Sequence, residues 1–236
     1  MSDGKGTTRN TQSIVMKPMK LDASKTALLI VDMQKYQAGE GGNLPRFFRE
    51  IYGPAAEDGA VKKGKEIVKI IRRLLAVFRK AGAPVVYLAF GSLTDDGSDL
   101  VPYARLWNEV SRKKTGLPAI VPVTDPGYAI MKEIAPKPGE PLLNKSAQGA
   151  FGASSLDHVL KQMGVETLVV AGMYTNHCVI STCIGGADAG YRVIVPTDAV
   201  GTWDQKLHEQ ALEVMRSWII CTTSTEIIRN LKKKTH

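Results

Sequence analysis

Apolar residues in this chain fall into short unbroken runs that alternate with stretches where they recur every three or four positions. The runs Leu28 to Val31, Pro84 to Phe90 and Thr167 to Val170 read as buried strands, and Pro141 to Lys145, Tyr191 to Val195 and Ile219 to Thr222 as further strands. Between them, Ile67, Ile70, Ile71, Leu74, Leu75 and Phe78 predict a helix stopped by Gly82. Leu156, Val159, Leu160 and Met163 predict another, ending at Gly164, and Leu207, Ala211, Leu212, Val214 and Met215 a third within Asp204 to Trp218. A short helix is expected around Tyr103 to Val110, and a capping box, Thr223 to Glu226, opens a terminal one. Asn176 reads as the N-cap of a helix carrying Ile180, Cys183, Ile184 and Ala187.

Strands alternating with helices imply an α/β protein: a three-layer, doubly wound fold around a six-stranded, mainly parallel sheet, with 3-2-1-4-5-6 as the expected strand order. The 236 residues fit one domain, residues 21–236, preceded by a flexible arm over 1–20. Lys35 to Gly59 reads as a long loop because it holds a Gly-Gly pair, Pro45 and Pro54. The irregular stretch 91–140 reads as an insertion of the kind that forms a lid over a site.

Composition narrows the compartment and the partners. No apolar run approaches the length of a bilayer span, and the first twenty residues lack an apolar signal core, so a cytoplasmic protein is expected with no membrane partner. Three cysteines spread through the chain do not make a disulfide framework, and Cys183 and Cys221 lie on core patterns. The formal charge of +8 is scattered, and no aromatic residues interleave with its small clusters, so no nucleic-acid partner is expected.

Three of the predicted strand ends carry complementary chemistry. The first finishes on Asp32, another on Asn144-Lys145, and the apolar run through Ala171-Gly172 leads to Cys178 in what reads as the first turn of a helix. Unpaired N–H groups and the helix dipole would lower the thiol pKa there from its usual ~8.5, making Cys178 a candidate nucleophile. Taken singly, each residue has a plainer reading: a buried free cysteine, a strand-end cap, a surface amine. His177, beside Cys178, points about 100° away on a helix and does not form a dyad with it.

Taken jointly, the motifs Leu29-Ile30-Val31-Asp32-Met33-Gln34, Asn144-Lys145-Ser146 with Ala150-Phe151, Gly172 through Val179 and Val195-Pro196-Thr197-Asp198-Ala199-Val200 resemble those of the isochorismatase-like cysteine hydrolases, over roughly residues 21 to 222. That family includes nicotinamidases and ureidoacrylate, N-carbamoylsarcosine and biuret amidohydrolases. The resemblance implies a catalytic triad of Asp32, Lys145 and Cys178, and a cis peptide at Met173–Tyr174. It also implies an oxyanion hole from the N–H groups of Tyr174 and Cys178, and hydrolysis of a small amide or ureide through a thioester. Tyr36, Gln37, Trp107, Tyr174, Thr175 and Asn176 are the candidates for lining the pocket. Residues 33–157 hold no histidine for the metal cluster of nicotinamidases, so no metal and no cofactor is expected. Cys178 sets the chain apart from true isochorismatases, and Thr175-Asn176-x-Cys178-Val179 is most like ureidoacrylate amidohydrolase. A homodimer or homotetramer is implied by the same analogy. The alternative is a catalytically silent scaffold that keeps the fold.

Overall fold

The computed structural model describes residues 20–232; the predicted arm, save Lys20, lies outside them. The strands are β1 (Leu21–Asp22), β2 (Thr26–Val31), β3 (Val85–Phe90), β4 (Leu142–Lys145), β5 (Thr167–Met173), β6 (Arg192–Pro196), β7 (Val200–Gly201), β8 (Ile220–Thr222) and β9 (Leu231–Lys232). The helices are α1 (Lys35–Ala38), α2 (Asn43–Tyr52), α3 (Pro54–Ala81), α4 (Pro102–Thr115), α5 (Leu156–Gln162), α6 (Ile180–Asp188), α7 (Gln205–Arg216) and α8 (Ser224–Asn230).

The sheet runs β4-β3-β2-β5-β6-β8 with every ladder parallel, which is order 3-2-1-4-5-6 for its six main strands. Three short strands escaped the sequence pattern: β7, which pairs with the end of β5, and β1 and β9, which pair with each other. All residues of β2, β3 and β5 are buried, because helices cover both faces. Leu28 and Ile30 pack with Ile67, Ile71, Leu74 and Phe78 of α3 on one face. Leu29 and Val31 share the other core with Leu156 and Leu160 of α5, Cys183 of α6, and Leu212 and Met215 of α7. Each such side chain contributes roughly 1.5–3 kcal/mol on burial. Cys221, expected in the core, is only half-buried.

The long loop expected over Lys35 to Gly59 is instead mostly helical. Pro45 falls in the first turn of α2 and Pro54 opens α3, positions where proline costs no hydrogen bond. The apparent breakers are therefore helix starters. Gly59 sits inside α3, where a Cβ would lie 2.2 Å from the carbonyl oxygen of Trp203.

The stretch 91–140 is likewise more ordered than its composition implies. Its helix extends from Pro102 to Thr115, beyond the expected Val110, and ends at Gly116 with φ +76°. Asn108 holds the segment after α4 by accepting from Ile120 N–H at 2.7 Å and donating to Ile120 O at 3.0 Å. Of the terminal capping box only one half forms: Glu226 N–H donates to Thr223 Oγ1 at 3.2 Å, while the Glu226 carboxylate turns to Arg229. No helix among the described residues is long and apolar enough to cross a membrane.

Candidate active site

Because β2, β4 and β5 are parallel, their carboxyl ends open on one edge of the sheet. β2 lies centrally, with Val31 level with Gly172 of β5, while Phe90 of β3 is level with Lys145 of β4. Asp32 follows β2 with φ +52°, a left-handed conformation that aspartate tolerates better than most residues. Gly172, at φ +132°, lets β5 approach closely: a Cβ there would lie 2.1 Å from Val31 O. The chain after β5 is thus brought over Asp32.

Lys145 joins the three predicted residues. Its Nζ lies 2.8 Å from Asp32 Oδ2 and donates to Cys178 Sγ at 3.4 Å and to Ala147 O at 3.0 Å. The ammonium thus makes two hydrogen bonds and one ion pair, and it also stands 4.3 Å from the Phe90 ring centroid. Asp32 and Lys145 are fully buried, and Cys178 is 4% exposed.

Burial sets the protonation of the centre. It raises the Asp32 carboxyl above its usual range, an effect that Lys145 offsets only in part. Burial would lower the Lys145 ammonium, but Asp32 and Cys178 outweigh it and the net shift is upward. The Cys178 thiol is pushed up by burial and then by the Asp32 charge, with Lys145 acting against both. The lowered thiol pKa expected from a helix N-terminus is therefore overturned. A thiol sealed from water beside a carboxylate rests as S–H.

The expected cap is overturned too. Residues Thr175–Val179 form a single π-turn closed by Val179 N–H donating to Tyr174 O at 3.2 Å, and Ile180 begins α6 behind it. Asn176 lies inside this turn rather than capping it, and its Oδ1 is buried without a hydrogen-bond partner. His177 N–H also donates to Tyr174 O, at 3.0 Å, so neither bond to that carbonyl uses the N–H of Cys178. A cis peptide joins Met173 to Tyr174.

The other predicted residues surround this turn. Tyr36 is buried, and its hydroxyl donates to Phe90 O at 2.8 Å. Gln37 is buried and donates to Gln34 Oε1 at 2.9 Å, and the Tyr174 hydroxyl donates to Gln37 O. Thr175 Oγ1 lies 3.0 Å from His208 Nδ1. Trp107 packs against His177, Tyr103 and Phe47.

Sequence reasoning missed several supports. The Gln34 carboxamide accepts from Phe90 N–H at 2.8 Å and donates to Tyr128 O at 2.9 Å, tying the chain after β2 to β3 and to the 91–140 stretch. Phe90 itself, the Ala147 carbonyl and the ring of Trp203 carried no local signal. Among the described residues, no three His, Cys, Asp or Glu side chains gather as a metal ion would need.

An open parallel sheet with acid, ammonium and thiol at the carboxyl ends of its strands defines a hydrolase class that sequence comparison identifies. The isochorismatase domain profile matches residues 26–226, and the chain belongs to the isochorismatase family. It is 31% identical to a ureidoacrylate amidohydrolase, RutB, of Stutzerimonas stutzeri over 214 residues, covering 86% of this chain and 82% of that one. Among solved structures it is similar to a cysteine hydrolase from Pseudomonas syringae pv. phaseolicola, with TM-score 0.73, 26% identity, and 92% and 98% of the two chains covered. An N-carbamoylsarcosine amidase from Thermoplasma acidophilum matches with TM-score 0.59 and 26% identity, over 85% and 96% of the chains. The protein is an enzyme of this family, a hydrolase.

Proposed function

We propose that the protein is a cysteine-dependent amidohydrolase that cleaves a C–N bond of a small amide or ureide, of the ureidoacrylate or N-carbamoyl type, through a thioester. One observation carries this reading: the Lys145 ammonium touches both the Asp32 carboxylate and the Cys178 sulfur inside the protein. Asp32 takes the thiol proton as the sulfur attacks the carbonyl carbon, and its raised pKa narrows the gap that this proton must cross. Lys145 keeps its charge, stabilises the thiolate and holds the carboxylate in line. The Tyr174 and Cys178 N–H groups receive the oxyanion, where losing one donor typically costs ~3 kcal/mol. Asp32 returns the proton to the departing amine, and water activated by the same carboxylate then splits the thioester.

Tyr36, Gln37, Trp107, Thr175 and Asn176 shape the pocket in this reading, with 91–140 as its cover and a second copy of the chain as the expected partner. The similarity to ureidoacrylate amidohydrolase supports the choice of substrate class. Wild type and Cys178→Ala are compared with ureidoacrylate, N-carbamoyl amino acids, biuret and simple carboxamides, following ammonia release and the intact mass of quenched protein. A mass increase on wild type alone, with no turnover by the variant, is expected. Equal turnover by the two proteins overturns the cysteine mechanism, and no turnover by either favours the silent scaffold.

A further inference from the structure

The turn that carries Cys178 is gripped from outside by two side chains with no place in the chemistry above. β7 runs beside the end of β5, pairing Gly172 with Val200 and Met173 with Gly201, so the chain after β7 emerges next to the nucleophile turn. Trp203 lies there, one residue before Asp204, which caps α7 by accepting from Leu207 N–H at 2.8 Å. Its backbone is seated against α3 at Gly59, where any side chain would collide with the Trp203 carbonyl. Its indole stacks on His177 with centroids 5.5 Å apart and rings 23° from parallel, and meets Tyr174 edge-on at 5.7 Å. Phe48 at 4.3 Å and Tyr52 at 5.4 Å back the indole from α2. One turn further on, His208 of α7 reaches Thr175 Oγ1 at 3.0 Å.

Residues 174, 175 and 177 are thus each held by the segment from Trp203 to His208. We infer that Trp203, assisted by His208, is a positioning residue that clamps the Tyr174–Cys178 turn and fixes the sulfur and the Tyr174 N–H relative to Asp32 and Lys145. The inference rests on the reading of Cys178 as nucleophile, and it concerns the placement of the turn rather than any contact with substrate. Stacked and edge-on ring pairs hold their partners in a preferred geometry beyond simple burial. Their value to catalysis lies in alignment, since a displacement of ~1 Å at a reacting atom can cost about 100-fold in rate.

The test compares wild type, Trp203→Phe, Trp203→Ala and His208→Gln as full-length proteins, scoring folded material only. The readouts are kcat and KM on whichever carboxamide or ureide wild type hydrolyses, and peptide-resolved alkylation of Cys178 by iodoacetamide. Trp203→Ala is expected to lower kcat by roughly 10- to 100-fold with KM within about twofold, and to alkylate faster at Cys178 as water enters beside the sulfur. Trp203→Phe restores most of the rate by keeping a stacked ring, and His208→Gln shows a smaller loss of kcat. A lowered melting temperature with unchanged kcat and unchanged alkylation overturns the clamp, as does a loss confined to KM. Should wild type hydrolyse none of the substrates, the amidohydrolase reading fails, and the alkylation rates alone decide the clamp: faster in Trp203→Ala supports it, equal rates overturn it.

Discussion

Two ion pairs of equal length serve opposite ends in this molecule. At the rim, Arg79 of α3 meets Glu140 through a two-pronged contact, both N–H···O distances 2.8 Å, with the side chains 23% and 13% exposed. In the centre, Lys145 meets Asp32 at 2.8 Å through one ammonium, with both side chains fully buried and a thiol sharing the cation. The rim pair is a latch: the guanidinium also donates to Tyr87 OH and Ala135 O, so Arg79 pins the chain before β4 to α3. The central pair is a poor way to stabilise a fold, because desolvating two ions can cost more than their attraction returns. Its position against Cys178 gives it a use in the mechanism proposed above.

The contrast breaks most sharply on activity. Cys178→Ala and Lys145→Met should each lower kcat/KM by roughly 10⁴-fold in steady-state assays, as loss of a member of a catalytic unit does. Arg79→Ala should leave kcat/KM within about twofold of wild type. A comparable loss in Arg79→Ala would erase the distinction between the pairs.

Stability gives the next largest effect. Lys145→Met strands the Asp32 carboxylate in the core and should cost roughly 3–5 kcal/mol in denaturant unfolding, whereas adding Asp32→Asn should recover most of it without any return of activity. Arg79→Ala should cost only about 1 kcal/mol, the value of a partly exposed pair. A double variant Lys145→Met/Asp32→Asn that stays as unstable as Lys145→Met would show that the central pair stabilises the fold in its own right.

Acidification separates the pairs more subtly. The proposed mechanism needs ionised Asp32, whose pKa burial raises, so kcat/KM should fall with decreasing pH while ordinary carboxylates are still charged. For Glu140 burial acts upward, but the hydrogen bonds from Arg79 and from Lys137 N–H prevail and its pKa is lowered. The stability it contributes is therefore present above its unfolded pKa and lost only as pH drops through the lower folded value. Activity should vanish before the latch opens, as a pH–rate profile set beside melting temperatures will show. On the alkaline side, Lys145 has a raised pKa, so its contribution to stability is complete below its unfolded value and is lost as pH rises through the folded one.

Much of this was legible from the chain alone. Buried parallel strands need unbroken apolar runs, and β2, β3 and β5 have them. Residues at the ends of such runs converge on one edge of a parallel sheet, so Asp32, Lys145 and Cys178 could be paired before any coordinates. The misreadings have local causes. Pro45 and Pro54 break a helix interior but suit its first turn, and nothing nearby distinguishes the two roles. Asn176 has the side chain of a cap, yet the chain turns as a π-turn through it, because the position of that turn is set by β5 and β7 rather than by its own residues.

Periodicity and residue type by themselves determined the alternation of strands and helices and hence the layers, since these follow from which surfaces must leave water, while the roles proposed for Asp32, Lys145 and Cys178 rest on the family resemblance. Only the tertiary structure decided the protonation of the thiol, the sharing of the Lys145 ammonium and the grip of Trp203 and His208 on the nucleophile turn. These depend on desolvation and on contacts between residues far apart in the chain, and no local pattern encodes either.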